Sequence, residues 1–155
     1  MEQLIRTDSD HPDFRALVRR LDEDLAIRDG ADHAFYAQFN KIDAIRNAVV
    51  AYVDGLPVAC GAFKPFDDGS VEIKRMYVLP DYRGRGLAGR VLAHLEQWAA
   101  ELSYGRTVLE TGQKQPEAIA LYQKWGYERI PNYGQYVGVE NSVCMQKNLN
   151  ALSNG

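Results

Sequence analysis

Arg83, Gly84, Arg85 and Gly86 stand between a strand-forming apolar run, Met76 to Leu79, and a stretch whose apolar residues return at helical spacing. Those residues are Leu87, Val91, Leu92, Leu95, Trp98 and Leu102, and Pro80 ends the run before them. A strand that passes through a glycine-rich turn into a helix gathers unpaired backbone N–H groups at one point. The helix dipole adds about half a positive charge there. Two guanidinium groups and two glycines let a large, multiply charged anion approach that backbone closely. The pattern predicts a phosphate cradle over Gly84, Arg85, Gly86, Leu87, Ala88 and Gly89, with Arg83 at its edge.

Spacing narrows the phosphate-bearing ligand. No Lys-Ser or Lys-Thr pair follows the glycines, as a Walker-type loop requires. Gly84, Gly86 and Gly89 match the bare dinucleotide pattern, and Glu110 closes a strand at about the distance of the ribose-binding acid. The loop begins beyond the middle of the chain, however, and leaves too little sequence for a nicotinamide-binding half and a substrate domain.

Two glutamates, on the strands before and after this turn and its helix, are candidates for proton transfer. Glu72 is on the strand that runs into it, eleven residues ahead of Arg83. Strand alternation puts Glu72, Lys74, Met76 and Val78 on one face unless a bulge intervenes. Glu110, in VLETG, ends the next strand and is the rival. A carboxylate at this place can serve as a general base. Were the nucleophile an aliphatic amine of pKa near 10.4, roughly one molecule per thousand would be neutral at pH 7.4. Recovering the neutral nucleophile costs about 4 kcal/mol.

The elements that position these residues belong to one domain, expected at 1–150 with a short tail at 151–155. At 155 residues the chain is long enough to bury a core, and its 46% apolar and 25% charged residues are ordinary for a globular protein. A net charge of −3 with interspersed signs argues against a nucleic-acid surface. Cys60 and Cys144 sit in apolar runs and read as buried thiols of a reducing compartment. His11, His33 and His94 offer no metal-ligand spacing, so no metal is expected. Without a basic leader or a long apolar run, the expectation is a cytoplasmic protein with no membrane contact.

Periodicity and turn chemistry predict a strand at 3–7, a helix from Pro12, a second helical piece at 33–42, and strands at 48–53, 57–63 and 71–79. A helix after the glycine turn, a strand at 106–111, a helix at 116–125 and strands near 127–130 and 143–147 follow. Asp54-Gly55 and Asp67-Asp68-Gly69 mark the tight turns. The order β-α-α-β-β-β-α-β-α-β-β is an α+β class: a mixed, mostly antiparallel sheet with helices on both faces.

Over nearly its whole length the chain resembles the GNAT superfamily of acetyl-CoA-dependent N-acetyltransferases. That family's [Q/R]-x-x-G-x-[G/A] appears as Arg83, Gly86 and Ala88, preceded by its V-x-P as Val78-Leu79-Pro80. Its N-x-x-A-x-x-L-Y with a following G-[FY] pair appears as QPEAIALYQKWGY, with Ala118, Tyr122 and Gly126-Tyr127. The usual Asn is Gln115 here, a departure at a cofactor contact. The resemblance implies acetyl-CoA as cofactor, with its pyrophosphate in the cradle. Its pantetheine arm would lie along Met76, Tyr77 and Val78, where that strand splays from its neighbour at 106–111. It also implies the Met76 N–H as donor to the acetyl carbonyl, Tyr122 as acid for the departing thiolate, and Glu72 as base by its spacing to Arg83.

By the same resemblance the acceptor pocket comes from the early helices and the 131–141 loop. These offer His33, Tyr36, Phe39, Asn40 and Lys41 on one side and Tyr133 and Tyr136 on the other. Lys41, Lys74 and Arg75 suit a carboxylate, which makes a small amine, an amino acid or a related zwitterion, the first expectation. A protein or peptide acceptor and an acyl-CoA sensor without turnover stay open, as does a homodimer.

Overall fold

The computed structural model describes residues 1–29 and 44–149, and the structural statements below concern those residues. The expected helical piece at 33–42, with His33, Tyr36, Phe39, Asn40 and Lys41, falls outside them, as does the tail at 151–155.

In chain order the elements are β1 (Glu2–Thr7), α1 (Pro12–Asp29), β2 (Asn47–Val53), β3 (Leu56–Asp67), β4 (Ser70–Val78), α2 (Leu87–Glu101), β5 (Arg106–Gly112), α3 (Pro116–Lys124), β6 (Glu128–Ile130) and β7 (Ser142–Asn148). Single 3-10 turns lie at Pro80–Tyr82 and Gly134–Tyr136. The strands hydrogen-bond in the order β1-β2-β3-β4-β5-β7-β6. β1–β2, β2–β3, β5–β7 and β6–β7 are antiparallel, whereas β4 and β5 are parallel. A parallel neighbour needs a crossover, and α2 supplies it. This is the mixed α+β architecture read from the sequence.

Local chemistry sets the joints. Asp54 and Gly55 take φ of 50° and 84°, the mirror-image turn whose twist matches the strands it joins. α2 stops where Ser103 takes a φ of 73°. Tyr104 N–H then bonds Ala99 O and Ser103 N–H bonds Ala100 O, closing the last carbonyls. That stop puts Leu102, read at helical spacing with the residues before it, just beyond the helix and leaves it 49% exposed. β3 continues past Phe63 to Asp67; its extra residues are exposed or half-buried, so apolar patterning carried no signal for them.

The chain divides into two compact units, Met1–Lys64 with Lys74–Leu95, and Pro65–Ile73 with the residues from Glu96 onward. In the first, Phe14, Leu17 and Val18 of α1 pack with Ala48, Val50, Cys60, Ala62 and Tyr77. Full burial of each large apolar side chain is worth roughly 1.5–3 kcal/mol. Gly61, between Cys60 and Ala62, faces the other way, toward Met76, Val91 and Leu95. α1 and the start of α2 therefore cover opposite faces of these strands. In the second unit, Glu96 is buried and held by Lys147 Nζ at 2.8 Å and the Tyr127 hydroxyl at 2.8 Å. Tyr127 in turn shares a 2.7 Å hydrogen bond with Thr107.

Candidate active site

The glycine turn is built as the sequence implies. Arg90 N–H bonds Gly86 O, which makes Gly86 the residue that opens α2. Gly84 and Gly86 take φ of 80° and 79°, a left-handed conformation that a side chain would strain. No acidic residue occupies the first turn of α2, so its N-terminal field is uncompensated by a carboxylate there. The arginines already have partners. Arg83 Nε donates to Val78 O at 2.9 Å, and its guanidinium lies 3.5 Å from Asp24 of α1. Arg85 stacks over Tyr82 with 4.9 Å to the ring centre. Arg90 donates to Glu2 and to Arg85 O, tying the turn to β1.

One residue of β4 departs from the extended backbone that regular alternation requires. Arg75 has a φ of 63°, in the left-handed region that a long side chain rarely adopts. Its guanidinium is buried and lies 3.6 Å from Asp22 of α1, while Cys60 Sγ donates to its carbonyl at 3.3 Å. Glu72 and Met76 therefore sit on opposite sides of an irregularity in one strand, and simple alternation does not relate their faces. Arg75, an expected acceptor contact, spends its charge on Asp22. Lys74 is half-buried on the same strand.

The second unit assembles the titratable residues. Glu72 is only 4% exposed, and Tyr133 donates its phenol proton to Glu72 Oε2 at 2.7 Å. β4 pairs with β5 from Ser70↔Arg106 to Glu72↔Val108. Paired residues share a face, and Glu110 is two further along β5, so both carboxylates project from the same face. Their Cα atoms are roughly 8 Å apart from strand spacing and rise. Across β5 on the other side, Glu110 is paired with Cys144 of β7.

Electrostatics bind this group together. Burial, then the Glu110 carboxylate, pushes the Tyr122 phenol well above its usual range. Burial, Glu110 and Glu72 do the same to Tyr136. Burial pushes the Cys144 thiol up to about 11, the Tyr133 backbone N–H partly opposing, with Glu110 and Glu72 adding to the rise. A thiol so placed is protonated at neutral pH and is a poor nucleophile. Rings complete the surround: Tyr133 meets Phe66 edge-on at 4.8 Å and Tyr136 at 5.9 Å, and Tyr122 meets Tyr127 at 5.7 Å.

The structure thus brings Glu72, Glu110, Tyr122, Tyr133 and Tyr136 into one unit, and holds Arg83, Gly84, Arg85, Gly86 and Met76 in the other. Gln115 caps the start of α3, where its Nε2 lies 3.7 Å from the point a Cβ on Gly112 would occupy. Asn141 Nδ2 lies 3.5 Å from the same point, buried and without a hydrogen-bond partner among the described residues. Sequence reasoning missed Asn141, Phe66 and the place of Cys144. The β5–β7 register places Asn141 and Cys144, and the Phe66–Tyr133 ring contact places Phe66; no local pattern encodes either.

The model of the acetyltransferase (GNAT) family matches residues 11–127. An IAA acetyltransferase of Azospirillum brasilense is 36% identical over 102 residues, 65% of this chain and 67% of that protein. A Bacillus subtilis protein named as an uncharacterised N-acetyltransferase is 35% identical over 92 residues, covering 58% of this chain and 61% of its own. The match spans half the length of a similar Escherichia coli protein, 50% at 38% identity. Among solved structures, one from Klebsiella pneumoniae named as an acyl-CoA N-acyltransferase superposes with a TM-score of 0.80 at 30% identity, over 96% of this chain and 98% of that one. A GNAT acetyltransferase of Elizabethkingia anophelis with acetyl-CoA bound shares the fold, with a TM-score of 0.67 at 16% identity over 95% and 97%. With its glycine turn, its crossover sheet and a family match across most of its length, this chain belongs to the GNAT family of acetyltransferases.

Proposed function

We propose that the protein moves an acetyl group from acetyl-CoA to the primary amine of a small molecule, by direct attack and without an acyl-enzyme. The observation that carries this reading is Glu72, a carboxylate buried to 4% exposure on the strand that feeds the glycine turn.

The cradle fits the proposed cofactor: left-handed glycines, a helix N-terminus free of acidic residues in its first turn, and two arginines suit a pyrophosphate. Acetyl-CoA, when bound there, supplies the acetyl group as an activated thioester. Gln115 and Asn141 present side-chain amides that suit a carbonyl oxygen of its arm. The Met76 backbone N–H, four residues beyond Glu72 on β4, is the donor for the acetyl oxygen as negative charge develops on it.

Glu72 takes a proton from the incoming ammonium and leaves a neutral amine whose lone pair forms the new C–N bond. As the C–S bond breaks, Tyr122 hydrogen-bonds or protonates the sulfur, and the second amine proton goes to solvent. Burial has raised the Tyr122 phenol, which favours hydrogen bonding over full proton transfer to a thiolate of pKa around 8.5. Cys144, held as a thiol, is unsuited to forming an acyl-enzyme. The rings of Phe66, Tyr133 and Tyr136 beside Glu72 suit a cationic amine.

The test is thiol release from acetyl-CoA against a panel of amino acids, polyamines, aminoglycosides and short peptides. Release that depends on one amine class supports the reading. Thermal stabilisation by CoA with no release from any amine would sink it in favour of a non-catalytic acyl-CoA sensor.

A further inference from the structure

We infer that Tyr133 is the positioning residue for Glu72, setting the orientation in which the carboxylate meets the amine. This rests on the proposed role of Glu72 as base. The observation is the 2.7 Å hydrogen bond from the Tyr133 hydroxyl to Glu72 Oε2, which joins residues 61 apart in sequence.

A glutamate has three rotatable side-chain bonds, and a base that wanders among its rotamers meets the amine in few productive geometries. Holding one oxygen fixes the plane of the carboxylate and so the direction from which a proton can be taken. The phenol is suited to this because it has one proton to give and its ring is anchored. Phe66 packs edge-on against the Tyr133 ring at 4.8 Å, with 66° between the planes. Tyr136 packs against the same ring at 5.9 Å, with 83° between the planes.

The segment that carries Tyr133 is braced in turn. Tyr136 N–H bonds Tyr133 O at 2.9 Å, and Asn132 Nδ2 donates to Tyr136 O at 3.1 Å and to Val139 O at 3.0 Å. The loop between β6 and β7 is therefore a fixed arm that delivers one hydroxyl to one carboxylate. Burial and the Glu72 charge both keep the phenol protonated, so it stays the donor. Tyr133 thus acts through Glu72, which distinguishes it from a residue that only lines the acceptor pocket.

Tyr133→Phe removes the hydroxyl and keeps the ring contacts. With acetyl-CoA and the fastest amine of the panel, the variant should lose about 5- to 20-fold in kcat with the amine KM within twofold, a loss the size of one misaligned catalytic group. In a Glu72→Gln background the same change should cost nothing further. A raised KM at unchanged kcat would make Tyr133 a pocket wall and overturn the proposal, as would no change in either. Glu72→Gln at full activity would instead overturn the role of Glu72, and the proposal with it. A crystal structure of Tyr133→Phe needs no acceptor and tests the orientation directly. A Glu72 carboxylate in a new or divided orientation supports positioning, and one unmoved from its wild-type place refutes it.

Discussion

A Cβ placed on Gly61 would sit 2.5 Å from the Met76 sulfur. The Met76 side chain therefore lies over residue 61, in space that is open only because that residue has no side chain of its own.

The first prediction follows from that contact. The same Cβ would also lie 2.9 Å from Val91 and 2.9 Å from Leu95, both fully buried on α2, so Gly61→Ala meets a packed wall with little room to yield. Overpacking of this kind costs about 1–3 kcal/mol. At this chain length Tm should fall about 2–4 °C per kcal/mol, measured by thermal unfolding. If Met76 is displaced as well, kcat falls with stability; a variant as stable as the parent would show that the contact relaxes without cost.

The second prediction concerns the cradle. Gly86→Asp puts a side chain on a residue with φ of 79° and a negative charge at the opening of α2. The backbone strain alone is about 1–2 kcal/mol. The added carboxylate would also draw the nearby Arg90 guanidinium, whose Nη1 lies 2.8 Å from the new Cβ position. CoA affinity measured by calorimetry should fall at least about 100-fold, equivalent to about 2.7 kcal/mol. Unchanged affinity would remove the pyrophosphate from this turn.

These two sites differ in how far the sequence announces them. The glycine turn was legible because Pro80, the glycines and the return of helical spacing are local signals, and each acts within a few residues. The hairpin at Asp54-Gly55 was legible for the same reason. Arg75 was not: nothing in its residue type favours a φ of 63°, and its conformation is held by Asp22 and Cys60, 53 and 15 residues away. The pairing of Glu72 with Tyr133 was likewise hidden, because it depends on where a loop after β6 comes to lie. Sequence spacing selected Glu72 through family resemblance, while its partner belongs to tertiary structure.

The third prediction tests the buried network of the second unit. Lys147→Met leaves Glu96, buried beneath it, with the Tyr127 hydroxyl but without a countercharge. Breaking a buried pair from one side costs about 3–5 kcal/mol, the low end applying here because Lys147 keeps 19% of its side chain in solvent. Tyr127→Phe removes one neutral donor and should cost about 1–2 kcal/mol. The two losses should not add, since both act on one carboxylate, and urea unfolding of the double variant measures the coupling. Equal small losses for both single variants would show that Glu96 is well solvated in spite of its burial.

The fourth prediction is a loss of stability in alkali. Cys144 has its thiol raised from the usual 9.0 to about 11 in the folded protein, chiefly by burial, with Glu110 and Glu72 in support. Cys60 is raised in the same direction by burial, the nearby Arg75 charge partly opposing. A thiol whose folded pKa exceeds its unfolded value binds the proton more tightly when folded. Its contribution is whole below pH 9 and is lost as pH rises toward 11 for Cys144, where the unfolded chain releases the proton first. Each such group lowers stability by at most about 1.4 kcal/mol per pH unit within its window. Urea midpoints at pH 8, 9 and 10 should therefore fall above pH 9, and Cys144→Ala should flatten the fall between 9 and 10. A midpoint that stays level to pH 10 would mean that the β7 thiol ionises in the folded chain as readily as in the unfolded one. Burial, the chief cause of the rise, would then not hold the proton on that thiol.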